Sequence, residues 1–336
     1  MSNTPSTVGG QAVIEGVMMR SPNHLTVAVR RKNNEIVVRE EAWRSTFPGW
    51  VRKVPFLRGA LTLIESMQNG NRALRFSAEQ YEADLAEDDA PPGSAPGEAP
   101  ASDSGVANRL GVVLSIGLMV ALPKILAWGL GRVAVGGLTM GDPRFHMLAG
   151  FFKLCIIIGM MLLMRRNQEM FRVFQYHGAE HKAIAVHEAG LPLTVDSARQ
   201  FTTRHARCGT TFLMVVVVVG VAIFSIVLPM FLPNDSSPLT MLKSIFISIP
   251  LMFPIAGVAY ELQRLGARYV DHPLAKLFLA PGYLVQRITT AEPTDDQVEI
   301  AFVALKRALA REAESAARAE PVVRTFPSFA AFAGQG

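Results

Sequence analysis

Four apolar runs dominate the middle of the chain, roughly Leu110–Leu130, Met147–Met164, Phe212–Leu232 and Ile245–Tyr260. Crossing a hydrocarbon core as a helix takes about 20 mostly apolar residues, range about 17–25. The third run is the clearest span. The fourth is short and interrupted by Pro250 and Pro254, which spanning helices tolerate when neighbours satisfy the freed carbonyls. The flanking segments follow other periods. Leu25–Arg30 and Glu35–Arg39 are rich in β-branched residues and joined by Arg31-Lys32-Asn33-Asn34, which predicts a hairpin. From Pro55 to Tyr81 apolar residues recur at helical steps (Leu57, Leu61, Ile64, Met67 or Gln68, Leu74). Gly59 and Gly70, each costing about 1 kcal/mol relative to Ala, predict a bend or break there. Thr294-Asp295-Asp296-Gln297 reads as a capping box opening a helix whose apolar stripe is Val298, Phe302, Leu305 and Leu309. After Glu312 the pattern becomes irregular.

Between Ala86 and Gly105 the chain is Ala, Pro, Gly, Ser, Asp and Glu, which cannot bury enough apolar surface to offset its ordering entropy and predicts a disordered linker. The expected organisation is a β-flavoured segment over 1–54, an amphipathic helix over 55–85, the linker over 86–108, a four-span region over 109–262 enclosing a His-rich loop at 165–211, and a tail with an amphipathic helix over 263–336. The expected fold class is thus a mainly α, polytopic membrane protein with about four transmembrane helices and a small β-containing cytoplasmic segment.

Composition agrees. Half of the 336 residues are hydrophobic and 18 % are charged, against roughly 25 % charged in soluble domains. The links near Leu138–His146 and Pro233–Ser244 hold only Arg144 and Lys243 as cations, whereas Arg165–Thr211 holds seven. The positive-inside rule then places the His-rich loop and both termini in the cytoplasm. The start has neither a basic n-region nor an apolar h-region, so no cleaved signal peptide is expected. A spread net charge of +5 gives no nucleic-acid groove. Lys124 and Lys153 interrupt the first two runs. Lys153 is expected to snorkel to an end, which leaves Lys124 as the ionisable group to explain.

Chemistry concentrates in Tyr176-His177-Gly178-Ala179-Glu180-His181-Lys182. Four of the seven histidines (His177, His181, His187, His205) and one of the two cysteines, Cys208, fall close together here. On a helix, His177 and His181 share a face and can offer two nitrogens to one Zn²⁺ or similar divalent ion, at about 2.0–2.1 Å. Glu180 would accept a proton from water in an H-x-x-E-H arrangement. The alternative is a pair of buried histidines bonded to backbone or carboxylate groups. For a third ligand, Glu188 is too far along the helix axis, at roughly 10 Å from His181. The candidates are His205, Cys208 and Glu261. Cys208 beside a helix start, flanked by Arg204 and Arg207, has its thiolate favoured, or else is a small buried residue there. Glu261 is otherwise an interfacial acid paired with Arg264.

Four blocks resemble the YqhQ-like family of bacterial membrane proteins: Gly9-Gly10-Gln11-Ala12-Val13-Ile14-Glu15-Gly16-Val17-Met18-Met19-Arg20, Tyr176–Lys182, Arg207-Cys208-Gly209-Thr210, and Thr289-Thr290-Ala291-Glu292-Pro293. The resemblance runs from about residue 8 to about residue 310; Ala206 stands where the family has proline, and the Pro/Ala-rich linker looks like an insertion. The family is described as predicted metal-dependent enzymes, so the resemblance implies a metal-dependent activity; Glu15, in the first block, is a further candidate site residue beside Glu261. The expectation is a metal-dependent hydrolase at the cytoplasmic face. His177, His181, His205 and Cys208 are its candidate ligands, Glu180 is its base, and a lipid-linked molecule or a peptide is its substrate. The competing expectation is a non-catalytic membrane scaffold or regulator with a structural His cluster.

Overall fold

The computed structural model describes residues 8–43, 45–89, 105–133, 137–314 and 321–334. Four N-terminal strands, β1 (Gly9–Val13), β2 (Gly16–Arg20), β3 (His24–Arg30) and β4 (Ile36–Ala42), form an antiparallel meander in chain order. The expected hairpin is β3–β4, with Arg30 opposite Ile36 and Asn34 at φ 69° in the turn. A fifth strand, β5 (Val322–Phe326), pairs with β4, so residues 321–334 are ordered where an irregular tail was expected. The signal was there in Val322, Val323 and Thr325, a short β-branched run without periodic support from its neighbours.

Both faces of this sheet are covered, because alternate side chains point to opposite sides. Val17, Met19, Ala28, Ile36 and Val38 pack with helices α4 (Gln168–Glu188) and α9 (Asp295–Ala313). Met18, Val27, Val29 and Val37 pack under Ala73 and Phe76 of α1 (Leu57–Asp89). Helix α1 runs through Gly59 and Gly70 as one element and extends to Asp89; the centre of the expected linker, 90–104, lies outside the described residues. Helix α9 packs into the core, as its apolar stripe predicts. Ile300, Phe302, Val303 and Leu305 are all fully buried, and burying each such side chain is worth about 1.5–3 kcal/mol. Its predicted capping box is formed by Thr294 and Gln297. Arg307 and Arg311 both pair with the buried Glu40 of β4, fixing the helix to the sheet.

The remaining helices build a bundle from α2 (Gly105–Val133), α3 (Pro143–Met164), α6 (Gly209–Phe231) and α7 (Pro238–Arg268), with α8 (Pro273–Thr289) against α6. Among the described residues three helices are long and apolar enough to cross a membrane: α3, α6 and α7. Helix α7 continues through Pro250 and Pro254 well beyond the expected short run. Lys153 does not sit near an end. It is ten residues from the start of α3 and eleven from its last residue, about 15 Å from either.

The sheet layer and the bundle meet along α1 and α7, where Gly59 abuts Tyr260 and Gly257 abuts the Phe56 carbonyl. The second junction is the segment 165–211, which carries α4, the short α5 (Val195–Arg199) and the loop into α6.

Candidate metal centre

Helix α4 begins where Asn167 accepts from the Met170 amide as its cap. Ten residues on, the helix enters a crevice between β1, the 200–208 loop and the Thr289–Pro293 segment. Gly178 permits the closest approach: a Cβ there would lie 2.2 Å from the Ala291 carbonyl oxygen. The Ala291 amide in turn donates to the Phe174 carbonyl at 2.9 Å. Helix α6 starts at the same place, with Cys208 as its cap and the Cys208 Sγ accepting from the Thr210 amide at 3.4 Å.

These elements bring His177, His181 and Cys208 together, with one donor atom from each within 4.8 Å of the others. His177 Nδ1 lies 2.8 Å from the Thr289 carbonyl, and its Nε2 is 3.1 Å from Cys208 Sγ. His181 Nδ1 lies 2.6 Å from the Thr203 carbonyl. A carbonyl can only accept, so each Nδ1 carries the proton and each Nε2 is turned towards the cysteine side. His181 Nε2 is buried with no hydrogen-bond partner among the described residues. A bare imidazole lone pair in a dry site is costly to leave unmet. Two imidazoles oriented by carbonyls through Nδ1, with a thiol between them, form a donor set that fits Zn²⁺ or another borderline divalent ion.

Electrostatics point the same way. Burial pushes the Cys208 thiol up, but His177 and His181 outweigh it and hold the thiol well below its ordinary value. Burial pulls His177 down, yet the adjacent thiolate, Glu180 and the Thr289 carbonyl raise it to about 9. Glu180 is 5 % exposed, and burial raises its carboxyl above the usual range even though His181 and His177 oppose the shift. Its Oε2 is 4.0 Å from His177 Nε2. Strand β1 passes directly over this carboxylate: a Cβ on Gly10 would lie 2.7 Å from Glu180 Cγ. Gly10 is itself exposed, so the cluster lies one backbone layer beneath the surface.

The other candidates lie elsewhere. His205 is adjacent, its ring 5.7 Å from that of His181, but its Nε2 faces Glu188 at 3.4 Å; burial lowers its pKa. Glu188 also pairs with Arg207, at the rim. Glu15 sits at φ 50° in the β1–β2 turn and pairs with Arg172, while accepting from the Tyr176 hydroxyl at 3.3 Å. It braces α4 and does not reach the cluster. Glu261 bonds Arg58 of α1 at 2.6 Å, the partner being Arg58 where Arg264 was expected. His187 is half-buried on another face of α4.

A family described as "Protein of unknown function (DUF1385)" matches residues 54–311. The chain belongs to this family. It is also 32 % identical over 324 residues to "Uncharacterized protein YqhQ" of Bacillus subtilis (strain 168), a match covering 94 % of this chain and 96 % of that protein. No solved structure matches.

The four resembling blocks now have a spatial meaning. Gly10 roofs Glu180, the α4 block supplies His177 and His181, Cys208 faces them, and Thr289 and Ala291 hold α4. Reading the residues one segment at a time missed Thr203 and Thr289, which act through backbone carbonyls that any residue type could provide. Gln286 was missed too. It accepts from the His205 amide and donates to the His205 carbonyl, fixing the loop between α5 and α6. The Thr289–Pro293 block was the one available signal, since a polar block of that kind after an apolar helix needs a packing partner.

Proposed function

We propose that this protein is a metal-dependent hydrolase anchored in the bacterial inner membrane, with its metal site at the cytoplasmic face. The observation that carries the reading is the convergence of His177 Nε2, His181 Nε2 and Cys208 Sγ, one of them a buried atom without a partner. Helix α2 is the fourth span of the proposed topology, and the excess of cations in 165–211 supports placing that segment and both termini in the cytoplasm.

A divalent ion held by these three residues would supply Lewis-acid chemistry, and three protein ligands are the pattern of catalytic rather than closed structural sites. Thr203 and Thr289 orient the imidazoles, and Glu180 holds or accepts a proton at Oε2 beside His177. The raised carboxyl of Glu180 suits a general base, whose efficiency is best when its pKa approaches the working pH. The Gly10 backbone shields the carboxylate from bulk solvent. Substrate reaches the site past β1, and a membrane-borne substrate, lipid-linked or peptide, fits a site at the end of the bundle.

A second reading has one observation in its favour. His181 is 1 % exposed and Cys208 7 %, a burial that also suits an ion holding a non-catalytic membrane scaffold together. Metal analysis of the purified protein, wild type beside His177→Ala and Glu180→Gln, separates the possibilities. The hydrolase reading expects about one equivalent of metal in wild type and in Glu180→Gln, with cellular function lost in both variants. Full function in Glu180→Gln leaves the scaffold; no metal in wild type removes both metal readings.

A further inference from the structure

The bundle contains a second cluster that the metal centre does not use. A cavity of about 50 Å³ lies between α2, α3, α6 and α7, walled mainly by apolar side chains such as Val217, Val221 and Met252 but also by Lys124, Lys153 and Ser248. Lys124 is nine residues from the end of α2, and Lys153 and Ser248 are each ten from the starts of α3 and α7. Those three helix ends lie together, since the Trp128 indole donates to the Ser236 carbonyl and the Met140 amide to the Asp235 carbonyl. At 1.5 Å per residue all three groups sit about 14–15 Å in, half the roughly 30 Å of a hydrocarbon core. Two lysine side chains therefore lie at the midplane of the proposed topology.

Their surroundings are not alike. The Lys124 ammonium donates to the Ser244 carbonyl at 2.8 Å, to Ser244 Oγ at 2.5 Å and to Ser248 Oγ at 2.7 Å, which uses its three protons. The Lys153 ammonium faces the Phe224 ring at 5.7 Å, and Lys124 approaches the same ring at 5.9 Å. Among the described residues no carboxylate offsets either one. Helices α2, α3 and α6 contain no Asp or Glu, and the one in α7, Glu261, is taken by Arg58 at the far end. Serine and carbonyl oxygens satisfy hydrogen bonds but not net charge, and intramembrane cations without counter-charge are costly and mark ion or substrate sites.

We infer that this cavity binds a small inorganic anion of halide size, held by Lys153 with Lys124 behind it. Size sets the class. A water needs about 10–15 Å³ of such space, so the cavity takes a halide with a water or two, whereas a phosphate group would fill it and bring its own hydration to be stripped.

The test uses the full chain in nanodiscs, with thermal unfolding read in chloride and in gluconate at equal ionic strength. Wild type should unfold higher in chloride, by about 3 °C for a site near-saturated in it, and Lys153→Met should lose that difference. Equal midpoints in the two salts for wild type overturn the inference, as does an undiminished chloride shift in Lys153→Met. Stabilisation by inorganic phosphate but not chloride overturns the halide class. Should Lys153→Met fail to fold, chloride-NMR line broadening by wild type decides: broadening relieved by bromide and not by gluconate is the expected result, and no broadening overturns the site.

Discussion

Two of the places where the molecule buries ionisable groups balance charge in opposite ways. At the metal centre, imidazoles, a thiol and a carboxyl face one another, so protons can shift among them until the net charge is small. At the bundle midplane two lysine side chains meet hydroxyls, a carbonyl and a ring, in a cavity that His146 also lines. The first cluster is a set of Lewis bases converging on a point and calls for a cation. The second is a set of proton donors without a counter-charge and calls for an anion. A buried polar cluster is thus informative by which charge it lacks, more than by how many polar residues it gathers.

The sharpest way to break this comparison is to remove a base from the first cluster. His177→Ala should take bound metal from about one equivalent to near zero by elemental analysis, since only two donors remain. Unchanged metal content there would mean that His205 substitutes or that the ion sits elsewhere. Glu180→Gln keeps the ligands and should keep the metal, while any hydrolytic rate falls by about 10²–10⁴-fold, the usual contribution of a general base. An assay on lipid-linked and peptide substrates checks it once a turnover is found.

Proton competition gives the next effect. Below about pH 9 His177 holds a proton that an incoming ion must displace, because the Cys208 thiolate, Glu180 and the Thr289 carbonyl raise its pKa despite burial. One proton released per ion means that affinity for Zn²⁺ rises about tenfold per pH unit up to about pH 9 and then levels off. Competition with a chromophoric chelator across pH 6–10 reads the slope. A flat profile would show that the free site is not the imidazolium–thiolate pair described above.

Much of this contrast was legible in the chain, for specific reasons. His177 and His181 four residues apart, and Cys208 beside two arginines, are statements about residue type and local period, which sequence carries well. The β3–β4 hairpin and the capping box of α9 are equally local. Three things were not legible. The carbonyls of Thr203 and Thr289 carry no residue signature. β5 is a lone short run whose partner, β4, lies some 280 residues earlier, so only tertiary pairing explains it. The third is the depth of Lys153, because the apolar run begins at Met147 and the helix does not. The helix begins at Pro143, capped by Asp142, and the earlier start puts the lysine in the middle.

The smallest expected effects test the second cluster's own logic. Ser248→Ala removes one of three acceptors from the Lys124 ammonium and should cost about 1–3 kcal/mol, the penalty for a buried donor left short. Lys124→Met removes the ammonium itself and keeps most of the volume. The desolvation cost of the charge disappears with it, and replacing a buried ion by an apolar side chain of similar shape is often neutral or stabilising. Ser248 Oγ still donates to the Ser244 carbonyl at 2.6 Å, so only Ser244 Oγ loses its partner. Chemical unfolding should therefore find Lys124→Met within about 1 kcal/mol of wild type, and no worse than Ser248→Ala. A larger loss in chloride that vanishes in gluconate would mean that the ammonium is balanced by a bound anion to which it contributes directly. Lys124 would then stand beside Lys153 as a ligand rather than behind it. A large loss in both salts would instead mean that the lysine is a structural tie between α2 and α7, and the asymmetry drawn between the two ammonium groups would have to be given up.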